Sequence, residues 1–251
     1  MSSPELILSF NEILFYFTRA AVGVGVPVGL AEDFGRSSVW IGSSGLDPAR
    51  ITSNALQALD CGRSGLNATL TEGKKETVLT PTGGKRLSAL QAGSAVCDWI
   101  SEKTEDARKS KQFIAKNVDY PFLAAAEVGL SNFEGWEICW QASEDLHCSV
   151  LICEGGSWEA SWRGREIPEQ TAAADVKFVH TESPIFNSEK LHDKITYSGK
   201  NRKHVLETGV PVYESWSIIH TFFSRCLVPS TEESRKSGAG AGLVDLSLIH
   251  I

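Results

Sequence analysis

Gly135-Trp-Glu-Ile-Cys-Trp140 decides the class of the fold. Trp136, Ile138 and Trp140 alternate with Glu137 and Cys139, and a period of two marks a half-buried strand, because successive side chains leave a strand on opposite faces. A turn at Ser143–Asp145 leads to a second apolar run, Cys148–Cys153, rich enough to lie in the middle of a sheet. Gly155-Gly156 then leads to Trp158–Trp162, so an antiparallel meander is the economical reading. Asp175–His180 is a fourth strand candidate. Trp136, Trp140, Trp158 and Trp162 are expected as core or sheet-face residues rather than as a stacking platform.

Upstream of this sheet the period is helical. Ser9-Phe-Asn-Glu12 has the form of a capping box, and Ile13, Leu14, Phe17, Ala20, Ala21 and Val24 follow at helical spacing up to Gly25. Pro27 suits the first turn of a second helix, in which Leu30, Ala31, Phe34, Ser38 and Ile41 form one stripe. Asp47-Pro48 opens a third helix that runs to about Leu59. Residues 61–85 read as a connecting segment with one strand near Thr77–Leu79, and Leu87–Ile100 as a helix that Gly93 weakens. Pro121–Val128 reads as a short buried helix, 181–209 as loop-rich, and Val212–Val228 as a late helix packed on the sheet. The expectation is one α+β domain over residues 1–245. Its N-terminal helical subdomain, 1–60, is followed by a mostly antiparallel sheet packed with helices in 61–245.

Composition narrows the function classes. The 251 residues are 42% hydrophobic and 22% charged, inside the globular range, which excludes wholesale disorder and collagen-like repetition. Twenty-four basic against thirty-one acidic residues give a net charge of −7, which argues against nucleic acid or an anionic membrane surface as partner. No run of apolar residues is long enough to span a bilayer and Met1–Glu5 lacks a basic signal region, so a cytoplasmic protein is expected. The six cysteines contain no C-x-x-C pair, and reduced packed thiols without a metal are the expectation. Leu246-Ser-Leu-Ile-His-Ile251 reads as the translated end of a sequencing adapter on a metagenomic fragment, and is set aside from the fold.

Familiar catalytic signatures fail. Gly83-Gly84-Lys85 lacks the upstream glycine and the following hydroxyl of a phosphate loop, and Gly23–Gly29 follows a helix and is interrupted by Pro27, unlike a dinucleotide fingerprint. No nucleophile elbow, zinc-protease helix or calcium loop is present, and no cofactor is assigned. Two polar constellations remain. Glu32 and Arg36 are four apart on the second helix, which makes an ion pair the simplest reading; the alternative is that Arg36 turns its planar fork to a carboxylate ligand. In Pro229–Gly242, the alternation of Gly238, Gly240 and Gly242 with alanine allows an anion nest beside Thr231, Ser234 and Arg235, though a docked or mobile tail is the plainer reading. Asp98 interrupts an apolar run beside Trp99, either facing solvent or held in a pocket.

Gly29-Leu-Ala-Glu-Asp-Phe-Gly-Arg36, Leu87-Ser-Ala-Leu-Gln-Ala-Gly-Ser-Ala-Val-Cys-Asp98 and Val228–Arg235 with Gly238–Asp245 together resemble a bacterial family known as domain of unknown function 3726, over nearly the whole chain. The resemblance implies a bacterial cytoplasmic protein without an established activity, and favours reading the separated motifs as one site. Two functional classes follow. In the first, the protein is an enzyme acting on a small anionic metabolite such as a carboxylate, with Arg36 and Arg235 holding the anion and Glu32, Asp98 or Glu232 as acid and base. In the second, it is a non-catalytic metabolite-binding or interaction module in which the Gly238–Gly242 tail docks in a groove or on a second subunit. The oligomeric state is open.

Overall fold

A computed structural model describes residues 6–103, 111–131, 133–141, 147–153, 157–163, 173–181, 193–197 and 199–227. After the short strand β1 (Leu6–Leu8), helix α1 (Phe10–Gly23) begins at the anticipated capping box. The Glu12 N–H donates to Ser9 Oγ at 3.3 Å, and the Ser9 N–H donates back to Glu12 Oε2 at 2.8 Å. Ile13, Phe17, Ala20 and Ala21 turn inward. Gly25, at φ +85°, takes the chain round to α2 (Val28–Ser43), whose Ala31, Phe34, Ser38 and Ile41 bury the expected stripe. Asp47 caps α3 (Pro48–Asp60) by accepting the Ala49 N–H at 2.9 Å. Three adjacent helices therefore form where their local start and stop signals stand.

The sheet is larger than the meander. Strands β2 (Ser64–Gly65), β3 (Ala68–Glu72) and β4 (Glu76–Pro81) occupy about half of the segment read as a connection, and β5 (Arg86–Ser88) takes the expected start of the next helix. Helix α4 (Ala89–Glu102), strand β6 (Gln112–Asp119) and helix α5 (Pro121–Leu130) follow, then β7 (Trp136–Gln141), β8 (His147–Ile152), β9 (Trp158–Arg163), β10 (Ala174–His180) and β11 (Asp193–Tyr197). The order is β11-β9-β8-β7-β10-β6-β4-β3, with β5 also on β6 and β2 on β5. Pairing from β11 through β6 is antiparallel, with Trp140 opposite Cys148 and Cys148 opposite Trp162, as the meander requires. β4 and β5 join β6 in parallel, which makes the sheet mixed at that end. β6 carried no expectation because its apolar positions, Phe113 to Ala115, are few and local; pairing on both edges is what holds it as a strand.

Strand β11 and helix α6 (Gly199–Thr208) lie within the segment read as loop-rich, and strand β12 (Val210–Val212), just after it, pairs with β1. The late helix α7 (Trp216–Ser224) exists, and it packs mainly on α1 and α3 rather than on the sheet. Its aromatic face meets α1: the rings of Trp216 and Phe223 lie 5.1 and 4.8 Å from that of Tyr16, both edge to face. At that crossing a Cβ on Gly23 would stand 2.1 Å from the Phe222 carbonyl oxygen, so the two backbones touch. The apolar side of α7 is thus satisfied by another helix, an outcome that periodicity alone does not distinguish from packing on strands.

The core lies between the sheet and the layer of α2, α4 and α5. The Trp99 ring on α4 lies 5.6 Å from Phe113 and 6.1 Å from Trp136, while Trp40 on α2 stacks on Trp158 at 4.7 Å. Trp136, Trp140, Trp158 and Trp162 are all buried, as expected. Glu137 and Cys139, on the opposite face, are buried as well, so β7 is covered on both sides rather than half-buried. The carboxyl there accepts the Ser149 hydroxyl at 2.6 Å. All six cysteines are free thiols.

Candidate functional site

The chain enters α5 through Tyr120, at φ +53°, and Pro121, whose fixed φ suits the first helical turn. Every residue from Pro121 to Gly129 is buried, and that run includes one charge-bearing side chain, Glu127. Its residue exposure is 6%, and among the described residues no hydrogen bond reaches its carboxyl. Space for it comes from α4: a Cβ built on Gly93 would lie 2.3 Å from Glu127 Oε2. The glycine that weakens α4 as a helix is the recess in which this carboxyl sits.

Glu127 lines a cavity of about 480 Å³ between α2, α4 and α5. Asp33 and Arg36 enter it from α2, Cys97 and Asp98 from α4, and Ser94, Ser101 and Ser131 add hydroxyls. Burial, followed by the neighbouring charges of Asp33 and Asp98, holds the Glu127 carboxyl well above the usual carboxylate range. Burial also raises Asp33, and Arg36 opposes that rise. The Cys97 thiol is pushed up to about 12, chiefly by burial, so it stays a thiol at neutral pH and accepts the Ser131 hydroxyl at 3.5 Å. Among the described residues the arrangement offers one planar cation, an exposed carboxyl at Asp98 and a buried carboxyl at Glu127 whose protonated form burial favours.

Two of the expected site residues, Arg36 and Asp98, open on this cavity from different helices. Asp98 is exposed to solvent at the edge of the cavity that it lines. The expected ion pair is corrected: Arg36 lies 3.7 Å from Asp33, three residues away, and not on Glu32. Asp33 sits partly buried at the cavity mouth, where the attraction is less screened than at the exposed Glu32. Glu32 does not line the cavity. Thr231, Glu232, Ser234, Arg235, Gly238, Gly240 and Gly242 lie outside the described residues. Asp33, Cys97 and Glu127 were not singled out by sequence reasoning; the available signal was a lone glutamate inside an otherwise apolar helix.

Other candidate features have structural roles. A second cavity of about 480 Å³ is lined by Gly45, Leu46, Asp47, Arg50 and Tyr213–Ser215, and its Asp47 carboxyl accepts the Ala49 and Tyr213 N–H groups. Gly23 to Gly29 form the α1–α2 corner, with Gly23 against Phe222. Among the described residues, no three His, Cys, Asp or Glu side chains are placed to hold a metal ion, and no helix is long and apolar enough to cross a membrane.

Of the three helices that build the cavity, α2 and α4 fall within a recognised sequence region and α5 lies beyond it. Residues 8–110 match the family described as protein of unknown function DUF3726. The DUF3726 region takes in Gly29–Arg36 and Leu87–Asp98, whereas Val228–Asp245 lies beyond it. No curated protein matches the chain. Among solved structures, a protein from E. coli assigned as a malate/lactate dehydrogenase superimposes with a TM-score of 0.60 at 10% identity, covering 91% of this chain and 97% of that one. Malate dehydrogenase from Pyrococcus horikoshii OT3 gives 0.58 at 11% identity, covering 92% and 99%. Sulfolactate dehydrogenase from Methanocaldococcus jannaschii gives 0.55 at 9%, covering 86% and 96%. At these identities the likeness is one of fold.

Proposed function

We propose that this protein is an enzyme acting on a small carboxylate metabolite in the α2–α4–α5 cavity. The observation that carries the reading is that Arg36 and the buried, unpartnered carboxyl of Glu127 open on the same space. A guanidinium takes a carboxylate in two parallel hydrogen bonds. The existing Arg36–Asp33 contact is 3.7 Å long and largely exposed, so a ligand displaces it at little cost. Glu127, whose burial favours its protonated form, lies where it can exchange a proton with the group next to the bound carboxylate, with Asp98 as the second carboxyl. The fold likeness supports the same substrate class, since the neighbours are named for malate, lactate and sulfolactate, all small hydroxy acids. Six free thiols suit a reducing compartment, and we place the protein in the cytoplasm.

The test is calorimetric titration with L-lactate, L-malate, pyruvate and oxaloacetate, alongside thermal shift. Binding is expected to be lost in Arg36→Ala with the melting temperature nearly unchanged, and to survive in Glu127→Gln with turnover reduced. Ligand binding that is indifferent to Arg36→Ala overturns the reading.

A further inference from the structure

Among the described residues, three carboxyls, those of Asp33, Asp98 and Glu127, open on a cavity with one cation, Arg36. A ligand carrying only negative charge gains Arg36 and then faces the remaining carboxyls. Glu127 is the sharper constraint. It is 94% buried, no donor reaches it among the described residues, and Gly93 leaves the space in which it stands. A carboxyl on a buried residue that opens on a cavity is ready to take a donor from the molecule that fills it. A metal ion is a poor match, because among the described residues no three potential ligands converge.

We infer that the ligand carries an ammonium group beside its carboxylate, so that the natural class is an α-amino acid or a close relative. This rests on the carboxylate reading above and names its substrate class. The carboxylate lies on Arg36, and the ammonium, with three N–H donors and no acceptor, turns to Glu127 and Asp98. The titratable groups facing the ligand are Asp33 and Arg36 from α2, Cys97 and Asp98 from α4, and Glu127 from α5. Of these, Glu127 is the group whose protonation binding shifts: burial favours its protonated form in the free protein, an ammonium opposite it favours the carboxylate, and the proton displaced leaves to solvent. Affinity for an amino acid therefore rises with pH until Glu127 ionises in the free protein.

Isosteric pairs that exchange ammonium for hydroxyl test this directly. The full chain is titrated calorimetrically with L-alanine against L-lactate, and with L-aspartate against L-malate, in buffers of different ionisation heat. The amino member is expected to bind at least about tenfold tighter, as for a charge pair removed from water, with proton release. Glu127→Gln should abolish both the preference and the release. Asp98→Asn, an exposed change that leaves the fold intact, should reduce the preference while keeping the release. Hydroxy acids that bind as tightly as amino acids, through Arg36, overturn the ammonium inference and leave the carboxylate reading standing. Failure of every member to bind overturns both.

Discussion

Gly93→Ala is the perturbation that bears most directly on the site. In an ordinary helix interior this change stabilises by about 1 kcal/mol, because glycine loses the most backbone freedom on folding. Here the new Cβ would stand 2.3 Å from Glu127 Oε2, 2.9 Å from its Cβ and 3.0 Å from its Cδ. Carbon atoms make their best contacts at roughly 3.5–4.0 Å. The carboxyl can swing away, but the Glu127 Cβ is fixed to α5, so α4 and α5 must separate by a few tenths of an ångström. Overpacking of this kind costs about 1–3 kcal/mol, leaving a net loss on the order of 0–2 kcal/mol where the helix rule expects a gain. In a Glu127→Gly background the fixed Cβ is removed together with the carboxyl, and Gly93→Ala becomes neutral or favourable. The coupling between the two positions is then on the order of 1–2 kcal/mol, within the range for residues in contact. Urea denaturation of the four proteins at pH 7 measures it. If Gly93→Ala stabilises both backgrounds equally, the recess reasoning is refuted.

The remaining predictions concern charge, packing and thiol chemistry. Glu127 has its folded acidity shifted above the ordinary 4.5, so from that pH up to its shifted value the folded state binds more protons than the unfolded one. Stability should fall as pH rises through that window, with this group contributing up to about 1.4 kcal/mol per pH unit; Glu127→Gln should flatten the profile, and parallel profiles count against a buried neutral acid. Gly23→Ala sets a Cβ 2.1 Å from the backbone oxygen of Phe222, which no rotamer relieves, and should cost about 3 kcal/mol or more in thermal unfolding; a parent-like melt refutes the α1–α7 contact. Cys61 is exposed, and Arg63 Nε donates to its sulfur at 3.0 Å, favouring the thiolate. It should react with a disulfide reagent well before Cys97 and more slowly in Arg63→Ala; equal rates for Cys61 and Cys97 contradict this.

What the sequence alone determined about this protein is what local physics encodes. The capping box at Ser9, the turn at Gly25 and the Asp47-Pro48 start act over three or four residues, so α1, α2 and α3 begin and end within a residue or two of their signals. The alternation in Trp136–Trp140 likewise specifies a strand whatever lies beside it. Arg36 and Asp98 were legible as candidates because each is a charge on a helix with a defined apolar face. Only the tertiary structure decided the rest. β6 is a strand because β4, β5 and β10 pair with it, and α7 lies on α1 because two aromatic faces fit there. Glu127 illustrates the same limit. In the sequence it is one acid within Pro121–Leu130; it becomes a functional candidate when Gly93 on another helix leaves it room and Asp33, Arg36 and Asp98 share its cavity. Such a site depends on desolvation and on charges brought together from separate helices, and neither exists until those helices pack.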